Sequence, residues 1–485
     1  MERIITRFAA SAALRPSKVA LITERNQLTY DDLLYLVEVF ETRLRTAGVK
    51  QGAKVILTSD RSEFVIAGYM VASRMSLTMI IATPRIVEAA NEHFDHVLAS
   101  EAVDGFEDDP RLILIKEDWF AALGAGRRPD MTHAYGDGAV IVGTTSGSTG
   151  RPKLVAASEA ERLTHRSSSQ AISDLTPRTR FLSTMATRQN WTATSILNTL
   201  FAGGSAVALS DHRNRFLPYI DQYRVNMLLT TPMTIRQMLE VPLCEQYLTT
   251  LEQISVSGAL TSSELLTQLA KRTTAAIRYG YGMTEVGGVA GADFDRNGQQ
   301  KEGYLGKVYR KDLEIAFFDD RLEVLPEANE GIVGFKSTDA HNDRRYLGSV
   351  ESDDKTGFVN GFFIPGDIIR REGSDLYFVG RSKSILNVGG NKYSLDVLQE
   401  RVEQDLGLTH ACCAAISDAY GIEHLHLAYE AEQVIEKSAF DQVLMAISPD
   451  IRVTRLVRVK KMAMTESGKV DTASARAVLR QDALN

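Results

Sequence analysis

The sequence predicts an α/β protein of more than one domain. Short apolar runs typical of buried strands alternate with stretches in which apolar residues recur every three to four positions, as in amphipathic helices. At 485 residues the chain is too long for one ordinary hydrophobic core, so we expect two or three domains. After about residue 303 the pattern changes to short alternating runs, which predict a β-rich segment.

The first strong element is an amphipathic helix within residues 29–48. Thr29 is a candidate N-cap and Gly48 a candidate stop. Apolar residues lie on one face at Leu33, Val37, Phe40 and Leu44. This stretch therefore predicts a helix packed on a core by one side.

Short apolar runs after this helix predict strands of a parallel or mixed sheet. They are KVILTS (54–59), LTMIIAT (77–83), AVIVG (139–143), SAVALS (205–210), NMLLTT (226–231) and ISVSG (254–258). The stretch AAIRYGYGMTE (275–285) predicts a short strand that leads into a glycine-bearing loop, although YGMTE alone would also suit an ordinary helix start. The run AVIVG leads directly into TSGSTGRPK (145–153), a stretch rich in hydroxyl side chains and glycine. Ligands of open α/β sheets favour loops at strand ends, so this position favours a phosphate-binding loop over a flexible linker.

The β-rich segment includes GIVGF (331–335) and LYFVG (376–380). Near Gly380 the pattern changes again, to a helix SLDVLQERVEQDL with Ser394 as its N-cap. Its apolar face consists of Leu395, Leu398, Val402 and Leu406. A small α+β domain is expected from there to the C-terminus.

Composition excludes several classes of protein. The net charge of −7 and the pI near 5.8 lack the basic excess that duplex binding needs, so no nucleic acid partner is expected. The three cysteines, Cys244, Cys412 and Cys413, fit neither a disulfide framework nor a zinc site. We predict a cytoplasmic protein without a signal peptide or a transmembrane helix.

Common nucleotide and hydrolase motifs are absent, because neither G-x-x-x-x-G-K-[ST], G-x-G-x-x-G nor G-x-S-x-G occurs. Four other motifs occur in order: TTSGSTGRPK (144–153), YGMTE (281–285), PGD (365–367) followed by GR (380–381), and TESGK (465–469). Together they resemble the adenylate-forming superfamily of acyl-CoA synthetases, peptide-synthetase adenylation domains and luciferases. The resemblance covers nearly the whole chain.

The resemblance implies a fold and a domain organisation. The fold would be α/β, with a large N-terminal domain of two α/β subdomains plus a β-barrel-like part, and a small mobile α+β C-terminal domain. The expected boundaries are residues 1–380 for the domain that binds ATP and the acyl group, and 381–485 for the mobile domain.

The resemblance also implies the activity. Members activate a carboxylic acid with ATP to an acyl-adenylate, release pyrophosphate and pass the acyl group to a thiol. We expect ATP, Mg²⁺ and coenzyme A, or a carrier protein's phosphopantetheine, as cofactors and partners, with a small carboxylic acid as substrate. The leading hypothesis is an acid-thiol ligase that uses coenzyme A. The alternative is a stand-alone adenylation enzyme that loads a carrier protein. A nucleotide-binding subunit without catalysis is the third.

Each motif carries expected site residues by resemblance. The phosphate-handling loop would use Thr145, Ser146, Gly147, Ser148, Thr149 and Gly150, with Lys153 as its cation. In YGMTE, Tyr281 would stack on adenine, Thr284 contact phosphate and Glu285 hold Mg²⁺. Asp367 would accept the ribose hydroxyls, with Arg381 nearby and Lys383 at the hinge.

The remaining expected site residues lie in the C-terminal region. Lys469 would bridge the attacking carboxylate and the α-phosphate. Gly389 and Gly390 would line a narrow channel for the pantetheine arm.

Three positions depart from the family's usual pattern. Leu154 stands where the family tends to have Gly, and Pro365 stands where it has Thr or Ser. In STMATRQNWTA (183–193), Arg188 lies near the position of an aromatic residue or His that gates the acyl pocket. An arginine there could pair with a polar group of the substrate, or point to solvent or to coenzyme A phosphates.

Overall fold

The structure is a computed structural model of the chain. It describes residues 2–83, 87, 94–121, 123–124, 129–145, 153–163, 174–209, 216–258, 261–297, 301, 303–319, 321–339, 342–347, 357–382, 384–388, 391–417, 423–465 and 470–480. The chain divides into two compact units. Unit 1 comprises residues 1–147, 151–313 and 337–351, and unit 2 comprises residues 148–150, 314–336 and 352–485.

Helices occur in both units. Their bounds are α1 (Ile4–Leu14), α2 (Tyr30–Thr46), α3 (Ser62–Met75), α4 (Asn190–Phe201), α5 (Phe216–Gln222), α6 (Pro232–Leu239), α7 (Ser263–Ala270), α8 (Leu395–Asp405), α9 (Lys437–Ile447) and α10 (Thr472–Arg480). Short 3₁₀ helices lie at Glu117–Phe120 and Cys244–Tyr247.

The strands up to residue 308 all belong to unit 1. They are β1 (Val19–Ile22), β2 (Gln27–Thr29), β3 (Lys54–Thr58), β4 (Thr78–Ala82), β5 (His96–Ala99), β6 (Leu112–Leu114), β7 (Val140–Thr145), β8 (Lys153–Ser158), β9 (Arg180–Ser183), β10 (Ser205–Val207), β11 (Met227–Thr230), β12 (Gln253–Val256), β13 (Ala276–Met283), β14 (Gly287–Asp293) and β15 (Tyr304–Val308).

The later strands complete the two units. They are β16 (Leu313–Phe318), β17 (Glu330–Ser337), β18 (Arg345–Tyr346), β19 (Gly357–Val359), β20 (Phe362–Ile364), β21 (Asp367–Glu372), β22 (Asp375–Arg381), β23 (Ile385–Val388), β24 (Asn391–Ser394), β25 (Ala411–Ser417), β26 (Glu423–Glu430) and β27 (Val453–Val459).

Unit 1 contains two large sheets. In the first, the order is β15-β14-β13-β12-β11-β9-β10-β1-β2, with parallel pairing from β13 through β1 and antiparallel pairing at both ends. In the second, the order is β18-β8-β7-β4-β3-β5-β6, parallel from β7 through β6. Strands β7 and β8 pair antiparallel, and so do β8 and β18. This confirms the predicted α/β class.

A continuous core packs helices against both sheets of unit 1. It takes Leu21, Phe181 and Ala206 from the first sheet and Val55, Leu57 and Ile141 from the second. Apolar faces of α1, α2, α3 and α4 complete it. The four apolar residues predicted for the helix at 29–48 are fully buried in this core, so that prediction is confirmed.

Unit 2 combines an antiparallel sheet with a smaller α+β part. The order β19-β20-β17-β21-β22, with β16 beside β17, forms an open path among the described strands. Strands β25, β26 and β27 form a three-stranded sheet in which α8 and α9 share one core and α10 shares another with the opposite face. The β-rich segment and the C-terminal α+β part are therefore as predicted. The boundary at residue 380 stays a prediction.

The cysteines contribute to cores rather than to a shared site. Cys413 belongs to the core with α8 and α9, whereas its neighbour Cys412 belongs to the core with α10. Adjacent strand residues point to opposite faces, so the two thiols are directed apart. All three cysteines are buried free thiols.

No helix in the described part of the chain is both long and apolar enough to cross a membrane. The predicted cytoplasmic location stays a prediction.

Candidate active site

The hydroxyl-rich loop of the sequence joins two paired strands of unit 1. Thr145, the last residue of β7, is in register with Lys153, the first residue of β8. The predicted residues Ser146, Gly147, Ser148, Thr149 and Gly150 lie outside the described residues. The expected position of the loop at a strand end is confirmed, because its two ends are the closing pair of an antiparallel hairpin.

Lys153 is part of a chain of contacts that reaches a second predicted site residue. Its Nζ lies 5.2 Å from the centroid of the Tyr346 ring, which is the geometry of a cation–π contact. The Tyr346 hydroxyl donates a hydrogen bond of 3.2 Å to Oε1 of Glu285. One tyrosine thus contacts both the predicted phosphate cation and the predicted magnesium ligand.

Thr284 and Glu285 lie in the turn between β13 and β14. The two strands pair antiparallel, with Met283 opposite Gly287. A Cβ built on Gly143 of β7 would lie 3.5 Å from Thr284 Cγ2 and 3.6 Å from Asn190 Cβ. The Thr284 side chain therefore lies beside β7, close to where the hydroxyl-rich loop begins.

The motif YGMTE forms part of a β-hairpin and not the start of a helix. Tyr281 is a half-buried strand residue of β13, in register with Ala290 of β14. Gly287 begins β14 with φ of +89°, a left-handed conformation that glycine adopts without a steric penalty. A side chain at that position would also approach the Arg344 guanidinium, since a built Cβ lies 3.3 Å from Nη2.

Burial and the neighbouring charges at the turn act on the pKa of Glu285 in opposite directions. Burial raises the pKa of the Glu285 carboxyl, while the Tyr346 hydroxyl and the Lys153 and Arg344 charges limit that rise. Burial, together with the neighbouring Glu285, also raises the pKa of Tyr346, so this hydroxyl stays a donor. A bound cation would favour the ionised carboxylate.

Arg344 and Glu161 form a buried ion pair beside the same turn, which sequence reasoning did not identify. Arg344 Nε lies 2.6 Å from Glu161 Oε1, and Nη1 of the same guanidinium donates to the Thr284 carbonyl oxygen. The two charged residues are 183 positions apart. No local motif indicates them, because their pairing depends on the fold.

Arg188, predicted near the acyl pocket, pairs with an acidic side chain in the structure. Its Nη1 lies 2.7 Å from Asp60 Oδ1, and the side chains are 27% and 72% exposed. The guanidinium is therefore satisfied in a partly solvated position, while its predicted contact with a substrate stays a prediction.

In unit 2 the structure brings Asp367 and Arg381 together. They are opposite each other on β21 and β22, and Arg381 Nε donates to Asp367 Oδ1 at 3.1 Å. The carboxylate is 8% exposed and the guanidinium 57% exposed. Burial, with a smaller contribution from Asp367, also raises the pKa of the nearby Asp396.

Four other predicted residues cannot be placed. Lys383, Gly389, Gly390 and Lys469 lie outside the described residues.

Comparison with known proteins decides the family. A family model described as AMP-binding enzyme matches residues 8–340, more than half of the chain. The chain belongs to this family. The resemblance inferred from the four motifs is thereby confirmed, and the chain is a member of a family of adenylate-forming enzymes.

Similar proteins cover most of the chain at low identity. Pseudomonine synthase PmsE of Pseudomonas entomophila (strain L48) is 23% identical over 500 residues, covering 95% of this chain and 81% of that protein. The vibriobactin-specific 2,3-dihydroxybenzoate-AMP ligase of Vibrio cholerae serotype O1 is 21% identical over 511 residues, covering 96% of this chain and 92% of that protein.

A solved structure shares the fold. The anthranilate CoA ligase AuaEII in complex with anthranoyl-AMP aligns with a TM-score of 0.80 at 17% identity, covering 100% of this chain and 98% of that one. The AMP-binding family fold predicted from the motifs is therefore confirmed.

Proposed function

We propose that this AMP-binding family member adenylates a carboxylic acid with ATP and transfers the acyl group to the thiol of coenzyme A. The observation that carries the proposal is the contact chain Lys153–Tyr346–Glu285 beside the loop that follows β7. It joins an ammonium group, a phenol and a carboxylate, which suit a bound nucleotide phosphate and its metal ion.

In the adenylation step, an oxygen of the substrate carboxylate forms a bond to the α-phosphorus. The bond from that phosphorus to the bridging oxygen breaks, and pyrophosphate leaves with the electron pair. Negative charge grows on the phosphate oxygens during this displacement, so fixed cationic and hydrogen-bonding groups stabilise the transition state. We assign Lys153, Thr284 and the hydroxyls of Thr145, Ser146, Ser148 and Thr149 to this role.

Lys469 is proposed to contact both the attacking carboxylate and the α-phosphate. A lysine suits this position because its ammonium is a compact charge on a flexible stem. The proposal includes a C-terminal domain of residues 381–485 that brings Lys469 to the substrate when it closes. Closure would exclude water, which hydrolyses acyl-adenylates.

The residues beside Lys153 fit Mg²⁺ bound to phosphate. Mg²⁺ prefers oxygen ligands and is commonly held by one or two carboxylates together with substrate phosphates. Glu285 would supply the carboxylate, and Tyr346 orients it through the hydrogen bond to Oε1. The ion would neutralise phosphate charge during the displacement.

The nucleoside is proposed to contact residues from two motifs. Tyr281 would stack on adenine, and Asp367 would accept hydrogen bonds from the ribose hydroxyls. Asp367 suits this role because a carboxylate offers two acceptor oxygens and this one is buried beside Arg381, from which it accepts a charge-assisted hydrogen bond.

The acceptor thiol has two candidate sources. Gly389 and Gly390 would line a channel for a pantetheine arm, which coenzyme A and a carrier protein share. The relative named as a 2,3-dihydroxybenzoate-AMP ligase favours an adenylation enzyme that loads a carrier. The neighbour named as an anthranilate CoA ligase favours coenzyme A.

Carboxylate-dependent exchange of labelled pyrophosphate into ATP tests the adenylation step. The acid panel starts with 2,3-dihydroxybenzoate and anthranilate and extends to aliphatic and dicarboxylic acids. We expect exchange with at least one acid, and its loss in Lys469→Ala and Lys153→Ala. The control is Lys54→Ala, since Lys54 is also the first residue of a strand in the same sheet.

The results of the exchange assay distinguish the three hypotheses for the function. Absence of exchange with every acid, in a protein that unfolds cooperatively, would favour the non-catalytic nucleotide-binding subunit. Exchange that is insensitive to Lys469→Ala would remove this residue from the proposed role. A thioester assay with the active acid then compares coenzyme A with a phosphopantetheinylated carrier protein.

A further inference from the structure

A short segment, residues 342–347, lies along β8 and contacts the turn that carries Thr284 and Glu285. Its backbone is held on β8 because Asp343 Oδ1 accepts from the Ser158 N–H at 2.9 Å and the Leu347 N–H donates to the Leu154 carbonyl at 2.8 Å. These contacts fix the register of the segment on the strand that begins at Lys153.

Arg344 and Tyr346 of this segment both contact that turn. In extended backbone, side chains two positions apart point to the same face. Arg344 donates to the Thr284 carbonyl oxygen, and Tyr346 donates to the Glu285 carboxylate. Two successive residues of the turn are therefore held from one side by two residues of the segment.

The Arg344 guanidinium is itself held by Glu161. The two side chains are 7% and 0% exposed, and Nε lies 2.6 Å from Oε1. Removing such charges from water is expensive, so a buried pair is weak support for a gain in stability. Its geometric effect is specific, because a planar guanidinium can bind two acceptors at a fixed separation, whereas a lysine ammonium is a point charge.

Gly287 makes the approach of the guanidinium possible. It follows the turn, has φ of +89°, and a built Cβ there lies 3.3 Å from Arg344 Nη2. The backbone of the turn and the guanidinium are thus in close contact.

We infer that Arg344, held by Glu161, is a positioning residue for MgATP. It sets the conformation of the Thr284–Glu285 turn, so that the hydroxyl and the carboxylate face the phosphates together with Lys153. This inference rests on the proposed adenylation function and adds two residues that the motifs do not include. Arg344 acts through the turn and is not itself assigned a contact with substrate.

The chain contains a matched control pair remote from this turn in sequence. Arg74 donates through Nε to Glu41 at 3.0 Å and through Nη1 to the His133 carbonyl, and both side chains are about as buried, at 9% and 11% exposed. Arg74→Lys and Glu41→Gln therefore disturb the same chemistry as Arg344→Lys and Glu161→Gln without touching Thr284 or Glu285.

The experiment measures pyrophosphate exchange as a function of MgATP and of free Mg²⁺, with stability monitored by tryptophan fluorescence in urea. We expect Arg344→Lys and Glu161→Gln to raise the KM for MgATP by about tenfold, equivalent to about 1.4 kcal/mol, and to require more Mg²⁺. Arg74→Lys and Glu41→Gln should lower the urea midpoint similarly while changing this KM by less than about twofold.

The alternatives are distinguishable. Equal KM values for MgATP in all four variants and wild type would overturn the positioning role and leave the proposed function intact. A fall in kcat alone, with KM and Mg²⁺ dependence unchanged, would also contradict it. Failure of the proposed function would appear as absence of exchange in the wild-type protein. If Arg344→Lys does not fold, Glu161→Gln alone carries the comparison with Glu41→Gln.

Discussion

At the scale of single residues, Tyr346 is the group that connects two sequence-predicted site residues. Its ring faces the Lys153 ammonium and its hydroxyl donates to Glu285. The hydrogen bond stabilises the ionised form of a carboxyl whose pKa is raised by burial. Tyr346 therefore influences both the orientation and the protonation of Glu285.

Replacing Tyr346 with Phe should shift the pH dependence of exchange. Loss of the hydroxyl removes an interaction that lowers the pKa of Glu285, so this pKa rises further. Because the proposed magnesium ligand must be ionised, activity at subsaturating MgATP should decline as the pH is lowered. In Tyr346→Phe this decline should begin at a higher pH than in the wild-type protein. The measurement is exchange rate against pH at fixed free Mg²⁺.

Tyr377→Phe is the matched control for this substitution. Tyr377 likewise has a cation over its ring, Arg370, but it is buried and lies on β22 in unit 2, whereas Tyr346 is half-buried in unit 1. An acid limb that is the same in Tyr346→Phe and wild type would show that this hydroxyl does not set the protonation of Glu285.

At the scale of elements, α2 illustrates how local signals specify a helix. The Thr29 side chain accepts from the Asp32 N–H at 3.1 Å, while the Asp32 carboxylate accepts from the Thr29 N–H at 2.9 Å. This reciprocal capping box satisfies two backbone donors that the helix itself leaves unpaired. The sequence predicted Thr29 as the N-cap, and the prediction is confirmed.

Thr29→Ala should destabilise unit 1 by about 1 kcal/mol, since the cap is lost. Tryptophan fluorescence in urea reports on this unit, because both tryptophans of the chain, Trp119 and Trp191, belong to it. Thr29→Ser keeps the hydroxyl and should retain most of the stability. Equal urea midpoints for the Ala and Ser variants would show that the capping box contributes little here.

The hairpin of β13 and β14 shows where local signals were insufficient. YGMTE was consistent with an ordinary helix start as well as with a strand and turn. The motif forms a hairpin, because Tyr281 pairs with Ala290 and Met283 pairs with Gly287. Such pairing is a contact between strands, and the glycines alone do not specify it.

At the scale of the whole chain, one buried carboxylate attaches the N-terminal helix of unit 1 to its second sheet. Glu159 accepts from Arg3 Nε, from the Ile4 N–H at 3.0 Å, from Ser73 Oγ at 2.6 Å and from the Ala139 N–H at 2.8 Å. Arg3 and Glu159 are 156 positions apart. The hydrogen bonds of Glu159 therefore join α1, α3 and the residues beside β7 and β8.

Glu159→Gln should lower the free energy of unfolding of unit 1 by about 3–5 kcal/mol, because it leaves the buried Arg3 guanidinium without its counter-charge. Tryptophan fluorescence in urea measures the change. Glu252→Gln, at an exposed glutamate of the same unit, should alter stability by less than about 0.5 kcal/mol. Similar urea midpoints for the two variants would contradict a structural role for the Glu159 hydrogen bonds.

Much of the fold was predictable because it depends on short-range patterns. Periodicity predicted α2 and α8, and an apolar run predicted β7, the strand that leads into the hydroxyl-rich loop. The strand after the loop, β8, was not predicted. The β-rich segment and the C-terminal α+β part were also predicted from changes in pattern. Sheet order was not, since it depends on which distant strands pair.

By itself the sequence indicated the family, specified the helices and strands that its periodicities predict, and predicted a set of site residues carried by four motifs. Only the tertiary structure decided that Tyr346 contacts both Lys153 and Glu285. It also decided that Arg344 pairs with Glu161 and donates to the Thr284 carbonyl oxygen, and that Arg188 pairs with Asp60. The physical reason is separation along the chain. A motif consists of residues that are close together in the sequence. Hydrogen bonds and ion pairs between residues far apart in the sequence exist only after the sheets have formed.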